Sequence, residues 1–293
     1  MKLSGILWGI IGVIMFSSKA VMVKLAYQYN VTSMHLLLFR MLFSLPFYLG
    51  ILFYLIKINK KKVNVRTKDY LWLFFFGFIG YYLASYFDFL GLQYINASLE
   101  RIILFVYPTL VLLINRLFFK KEITKRQIAA IVLTYLGVII AFGNQDQVFE
   151  YEVILGGVLV FLSALTYASY IVGSGWLIPK FGVLMFTSYA MVVSTICVAT
   201  HYLITDASAI FIYPNDVYYL GFAMAIIATL IPSFLVSYAI EIIGASNFSI
   251  LGSIGPFSTI ILAVIFLKED INIYQIVGAI IVVFGIRIVT KKG

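Results

Sequence analysis

Apolar stretches of this chain carry Lys19, Lys24, Arg40, Asp88, Glu100 and Arg101, all in the first half of the sequence. An ionised side chain at the centre of a bilayer costs at least about 2.5 to 3.5 kcal/mol, so a charge in such a stretch is either paired or kept for a task. Two readings stand. In the first, bases outnumber acids, so a cation is left over to hold a carboxylate or phosphate, with Arg101 the best fork-shaped donor and Lys24 a second candidate. In the second, Asp88 with a basic partner, and Glu100 with Arg40 or Lys24, neutralise each other and lock helices together as an outer gate. Asp88 and Glu100 are also the acids able to carry a coupling proton.

Aromatic residues make up 17% of the chain, and most must face lipid or packing. Those able to line a pocket beside the charges are Tyr82, Tyr86, Tyr107, Tyr167 and Trp176, with Phe105, Phe257, Tyr81 and Tyr170 near them in sequence. Pro108 and Pro256 lie within apolar stretches, where proline frees a carbonyl and bends a helix, so they are hinge candidates. Other chemistry has little support. His35, His201 and Cys197 lack metal-ligand spacing, so no metal site is expected. No phosphate-cradling glycine loop with a following Lys and Ser/Thr occurs, and no cofactor is expected.

The elements that must position these residues follow from composition. Of 293 residues, 63% are hydrophobic and 11% charged, with a mean hydropathy of +1.05. Globular chains carry roughly 45 to 50% apolar and about 25% charged residues, so the excess must face lipid. A helical span needs about 20 apolar residues, and ten spans with short connections nearly use up the chain. They are expected near Leu3 to Gln28, Ser33 to Ile56, Tyr70 to Leu92, Ser98 to Phe119, Arg126 to Phe142, Val153 to Leu177, Val183 to Ile204, Asp216 to Ile242, Ser246 to Leu267 and Ile273 to Val289. The apolar runs are too long for transmembrane strands and lack their alternation, so the fold class is all-α integral membrane.

Leu92 to Ala141 reappears without a gap as Ile240 to Val289, with about a quarter of the positions identical, the pattern of a duplicated membrane protein. Matched pairs include Ala97 with Ala245, Pro108 with Pro256, Lys120 with Lys268, Gln127 with Gln275 and Gly137 with Gly285. Lys57, Lys60, Lys61, Lys62, Arg66 and Lys68 crowd one loop, and Lys120, Lys121, Lys125 and Arg126 another, which puts both in the cytoplasm. The loops holding Asp146, Glu150 and Glu152, and Asp206 and Asp216, have no base and are expected outside. Both termini then fall in the cytoplasm, in agreement with Lys2, Lys291 and Lys292. Five spans per repeat make the second unit enter the membrane upside down. The expected units are residues 1–142 and 153–293, joined by an external loop at 143–152. Since Glu100 and Arg101 are matched by Phe248 and Ser249, the cavity between them should be polar toward the outside and more apolar toward the cytoplasm. The net charge of +9 sits largely in the basic loops, so it serves topology and lipid headgroups, and no nucleic-acid partner is expected.

A family resemblance rests on these residues taken in order. Leu7-Trp8-Gly9 opens the first span, Lys24 follows in it, and Arg40 lies in the second. Ala97-Ser98 to Pro108 opens the fourth and Ala245-Ser246 to Pro256 the ninth. Each half closes with Lys121-Glu122 or Lys268-Glu269 and then a helix bearing Gln127 to Gly137 or Gln275 to Gly285. The chain resembles the EamA family of the drug/metabolite transporter superfamily, departing from it at Thr32-Ser33, where Ser-Pro is common. The resemblance implies ten helices in two inverted five-helix repeats around a central cavity. It also implies secondary transport of small organic solutes, with amino-acid-like, charged or zwitterionic metabolites as the expected substrates, and export or exchange as the expected direction. The expected location is the bacterial cytoplasmic membrane. Small-molecule substrate, membrane lipids and protons are the expected partners, and monomer and homodimer both fit. An integral-membrane enzyme or lipid-handling protein is the alternative; it needs a nucleophile with a base, or a metal cluster, and the sequence offers neither.

Overall fold

The structure is a computed structural model, in which residues 2–58, 65–142, 151–207, 209–268 and 273–290 are described. Lys60, Lys61, Lys62, Asp146, Glu150, Glu269, Asp270, Lys291 and Lys292, which carry much of the orienting loop charge, lie outside the described residues.

Among the described residues the regular structure is helical and there is no strand. The helices are α1 (Leu3–Tyr27), α2 (Ser33–Ile58), α3 (Thr67–Tyr94), α4 (Ala97–Leu104), α5 (Tyr107–Phe119), α6 (Lys125–Phe142), α7 (Tyr151–Phe181), α8 (Val183–Thr205), α9 (Asn215–Ile243), α10 (Ala245–Leu267) and α11 (Ile273–Thr290). Helical structure covers each segment expected from the sequence, and seven helices, α1, α2, α3, α7, α8, α9 and α10, are long and apolar enough to cross a membrane. The segment expected from Ser98 to Phe119 is instead broken between α4 and α5. Pro108 falls in the first turn of α5, where its missing N–H costs nothing and its fixed φ favours restarting a helix. Pro256 holds the corresponding place in the middle of α10, at the start of its second segment, Gly255–Leu267, just after a 3₁₀ turn at Gly252–Ile254.

The surface is strongly apolar, and the largely apolar interior also holds many small hydroxyl residues. Phe53, Leu117, Phe118 and Ile265 are exposed, whereas Ser44, Ser174, Ser188, Ser194, Thr229 and Ser237 are fully buried. Apolar exposure on this scale needs hydrocarbon around it.

Local geometry repeats where the sequence does, and beyond. Both α3 and α9 contain a π-turn, at Phe78–Leu83 and Ile226–Leu230; Phe78 and Ile226 are as far apart in the chain as Leu92 and Ile240. Lys120 and Lys268 each end a helix in the left-handed conformation, with φ of 52° and 57°. A capping box opens α6: the Gln127 N–H donates to Thr124 Oγ1 at 3.2 Å and the Thr124 N–H to Gln127 Oε1 at 3.0 Å. Packing is reciprocal. α1 lies against α9 and α10, as α7 lies against α3 and α5, while α2 pairs with α8 and α6 with α11.

Candidate functional site

The polar interior converges on one cluster. Lys19 on α1 reaches Asp88 on α3, with Nζ 2.5 Å from Oδ2, and the carboxylate is fully buried. Glu100, at the start of α4, is fully buried and near enough to Asp88 for the two carboxyls to interact electrostatically. Arg101 folds back on its neighbour, its Nε 3.1 Å from Glu100 Oε2, and Nη2 donates to the Phe16 carbonyl of α1 at 3.3 Å. Residues i and i+1 point to different sides of a helix, so this contact turns the guanidinium across α4 toward α1. Arg40 on α2 is 1% exposed. Its Nη2 donates to Ser85 Oγ at 2.6 Å, its guanidinium carbon lies 5.0 Å from the centre of the Phe89 ring, and its Nε has no hydrogen-bond acceptor. Tyr27 ties the end of α1 to the same stretch of α3 by donating to the Phe89 carbonyl at 2.7 Å.

Beside the cluster is a cavity of about 80 Å³, bounded by α1, α2, α3, α4, α5, α7 and α10. Lys19, Arg40 and Arg101 form its charged wall, and Asp88 and Glu100 stand behind them, outside the lining. Tyr81, Tyr107 and Tyr167 face the cavity from three helices, the rings of Tyr107 and Tyr167 meeting edge-on at 5.5 Å. Pro256 and Phe105 close the apolar side, and Ser17, Ser85 and Ser163 supply hydroxyls. Ligand sites usually enclose about 300 to 1,000 Å³, so this cavity, as it stands, has room for a few waters and not for a metabolite.

Close backbone approach shapes it. A Cβ at Gly80 would overlap the Tyr170 ring, and one at Gly252 would overlap the Tyr107 hydroxyl. Only hydrogen at these two positions lets α7 and α5 come near enough to wall the cavity.

The residues singled out in the sequence therefore divide. Lys19, Arg40, Arg101, Tyr107, Tyr167 and Pro256 line the cavity, with Asp88 and Glu100 directly behind. Lys24, half-buried a little farther along α1, and Pro108 are not among the lining residues. Tyr82 and Tyr86 lie elsewhere, against His201 of α8: the Tyr82 hydroxyl is 3.0 Å from His201 Nδ1, and the Tyr86 ring centre is 4.7 Å from that of His201. Trp176 is near the far end of α7, under the Lys180 ammonium at 4.1 Å from its ring centre. Asp88 has a basic partner as expected, in Lys19, whereas Glu100 contacts Arg101 and Arg40 turns to Ser85. Sequence reasoning passed over Ser17, Ser85 and Ser163, whose small hydroxyls give no signal in an apolar helix.

Two clasps bridge the helices at opposite ends. At the end where α3 begins and α7 finishes, Lys180 Nζ donates to Asp69 Oδ1 at 2.6 Å. Where α2 begins and α8 finishes, His35 Nδ1 is 2.6 Å from the Tyr213 hydroxyl and its Nε2 is 3.1 Å from Asp206 Oδ2. Among the described residues no group of three or more His, Cys, Asp or Glu could hold a metal ion.

Comparison with known proteins agrees with this architecture. The EamA-like transporter family model matches twice, at residues 3–143 and 154–291. An "Uncharacterized transporter YcbK" of Bacillus subtilis is 29% identical over 281 residues, covering 94% of this chain and 89% of its own length. An "Uncharacterized transporter" of Archaeoglobus fulgidus is 24% identical over 238 residues, 78% of this chain and 80% of that protein. One crystal structure superposes with a TM-score of 0.79 over 99% of this chain and 97% of the other, at 13% identity, a likeness of fold. With the same family model matching both halves of a helical, lipid-facing chain, this protein belongs to the EamA-like transporter family.

Proposed function

We propose that the protein is a secondary carrier that exposes one site alternately to the two sides of the membrane. The supporting observation is the buried wall of Lys19, Arg40 and Arg101 on a cavity too small for a metabolite, in a bundle whose helices are clasped at both ends. Cations held in a dry interior are costly unless a ligand's charge joins them in part of the cycle. In this reading the small cavity is a constricted stage of that cycle, and widening toward either side admits a small charged or zwitterionic organic metabolite, amino acids and organic acids included, in export or exchange.

In this reading ten helical spans form two inverted five-helix repeats, residues 1–142 and 153–293, with 143–152 as the external link. The reciprocal packing of α1 with α9 and α7 with α3 supports it, because exchange of the two units leaves such a pattern unchanged. So do the matched π-turns and left-handed helix ends. In this reading the protein lies in a bacterial cytoplasmic membrane with both termini in the cytoplasm, an orientation that the basic loops support. Asp88 and Glu100 are, in this reading, the proton carriers, as buried carboxyls set beside Lys19 and Arg101.

Counterflow in proteoliposomes tests this function. Vesicles are loaded with pooled unlabelled amino acids, organic anions or organic cations, and uptake of a labelled member of each class is followed. Accelerated, saturable exchange by one class is expected. Absence of exchange in every class, from protein verified as folded and inserted, contradicts it.

A further inference from the structure

The cavity's charges specify more than a charged ligand. Lys19, Arg40 and Arg101 all line it, whereas Asp88 and Glu100 lie behind the bases. Arg40 is also within electrostatic range of Asp88. Three bases against two acids leave the cluster at least one positive charge in excess, and two if the acids share a proton. In both protonation states a ligand meets cations and no carboxylate.

From this we infer that the substrate is an organic acid with net negative charge, whose single carboxylate docks on Arg40. The inference rests on the carrier reading above and narrows its substrate. Arg40 is the better anchor than Arg101. The Arg101 Nε, like that of Arg40, makes no hydrogen bond, but the Arg101 guanidinium is ion-paired with Glu100 and donates to the Phe16 carbonyl, whereas among the described residues Arg40 has no carboxylate within 4 Å. Arg40 donates to Ser85, yet its buried Nε is without an acceptor on a side chain that lines the cavity. A carboxylate accepting from that fork satisfies the orphaned donor and cancels one excess charge. The rest of the ligand then faces Val13, Phe16, Leu104, Phe105 and Pro256, which suits a hydrocarbon or aromatic tail. An ammonium group on the same ligand would sit among three cations. The faces of Tyr107 and Tyr167 offer it only cation–π attraction.

A charge series at constant skeleton tests this. The full-length protein in proteoliposomes is given 4-methyl-2-oxopentanoate, leucine and 3-methylbutylamine, and separately phenylpyruvate, phenylalanine and 2-phenylethylamine, each compound being scored for counterflow in its own vesicles. In each skeleton the acid is expected to exchange fastest. Arg40→Lys, which keeps the charge but loses the fork, should weaken half-saturation by the acid by about tenfold to a hundredfold. Arg40→Gln should abolish its exchange; if that variant does not fold, Arg40→Lys still decides. Faster exchange of the amino acids or amines overturns the inference and leaves the carrier reading standing. Exchange of acids unaltered in Arg40→Lys removes Arg40 as the anchor. No exchange by any compound overturns both readings.

Discussion

Lys19 Nζ lies 2.5 Å from Asp88 Oδ2, joining α1 to α3 through a carboxylate with no exposed surface. Neither residue is near the other in sequence, and the pair forms only because α1 crosses α3 at the depth of the cavity. In a dry interior such a pair contributes little net stability, but removing one partner leaves a naked charge.

Asp88→Asn or Lys19→Met should therefore destabilise the protein by about 3 to 5 kcal/mol. The double variant, Lys19→Met with Asp88→Leu, should recover most of that loss yet fail to transport. Thermal unfolding in detergent, with transport measured in parallel, checks both outcomes. Equal destabilisation by single and double variants would show that the ion pair is not the cause.

Arg101→Ala should leave the protein folded and remove transport, since Arg101 reaches the cavity and holds α4 against the Phe16 carbonyl. Initial uptake into vesicles, normalised to inserted protein, measures it. Uptake at the native level would place Arg101 outside the site.

Protonation supplies a third expectation. Glu100→Gln or Asp88→Asn should flatten the pH dependence of transport, because these two buried neighbouring carboxyls are the acids of the cluster able to carry a coupling proton. The profile of initial rate against pH decides, and an unaltered profile in both variants would exclude them as proton carriers.

Close packing gives a fourth. Gly80→Ala should push α3 from Tyr170 and lower both stability and transport, while Gly50→Ala, with nothing within 4 Å of the added methyl, should change neither. Gly252→Ala should also be defective, and Tyr107→Phe in the same chain should partly rescue it by deleting the hydroxyl in conflict. Lack of rescue would mean that the Tyr107 contact is not what excludes a side chain at Gly252.

Much of this was legible in the residues. Long apolar runs reported the helices within a few positions, and the charges of α1, α2, α3 and α4 reported the cluster because membrane interiors make ionised groups conspicuous. Partner choice was not legible. Arg40 turned to Ser85, and Glu100 to its own neighbour, because helix rotation decides which side chains meet and sequence spacing does not encode rotation between helices. For the same reason Tyr82 and Tyr86, one turn apart with Ser85 and Tyr81, lie against His201 and away from the cavity. The break before Pro108 was legible as a bend, but its form, a two-residue turn at Phe105 and Val106 still bridged by backbone hydrogen bonds to Arg101 and Ile103, depends on local backbone geometry. The clasps of Lys180 with Asp69 and of His35 with Asp206 and Tyr213 join residues far apart in the chain, and no spacing rule predicts them.

Alternating access to the one cavity is tested most directly by a single cysteine at its wall. Ser163→Cys is introduced with Cys197→Ser removing the native thiol, and vesicles of known orientation are treated with a membrane-impermeant maleimide from either side. Labelling from both sides is predicted, with substrate slowing both reactions. Labelling from one side only, under every substrate and pH condition, would contradict the account.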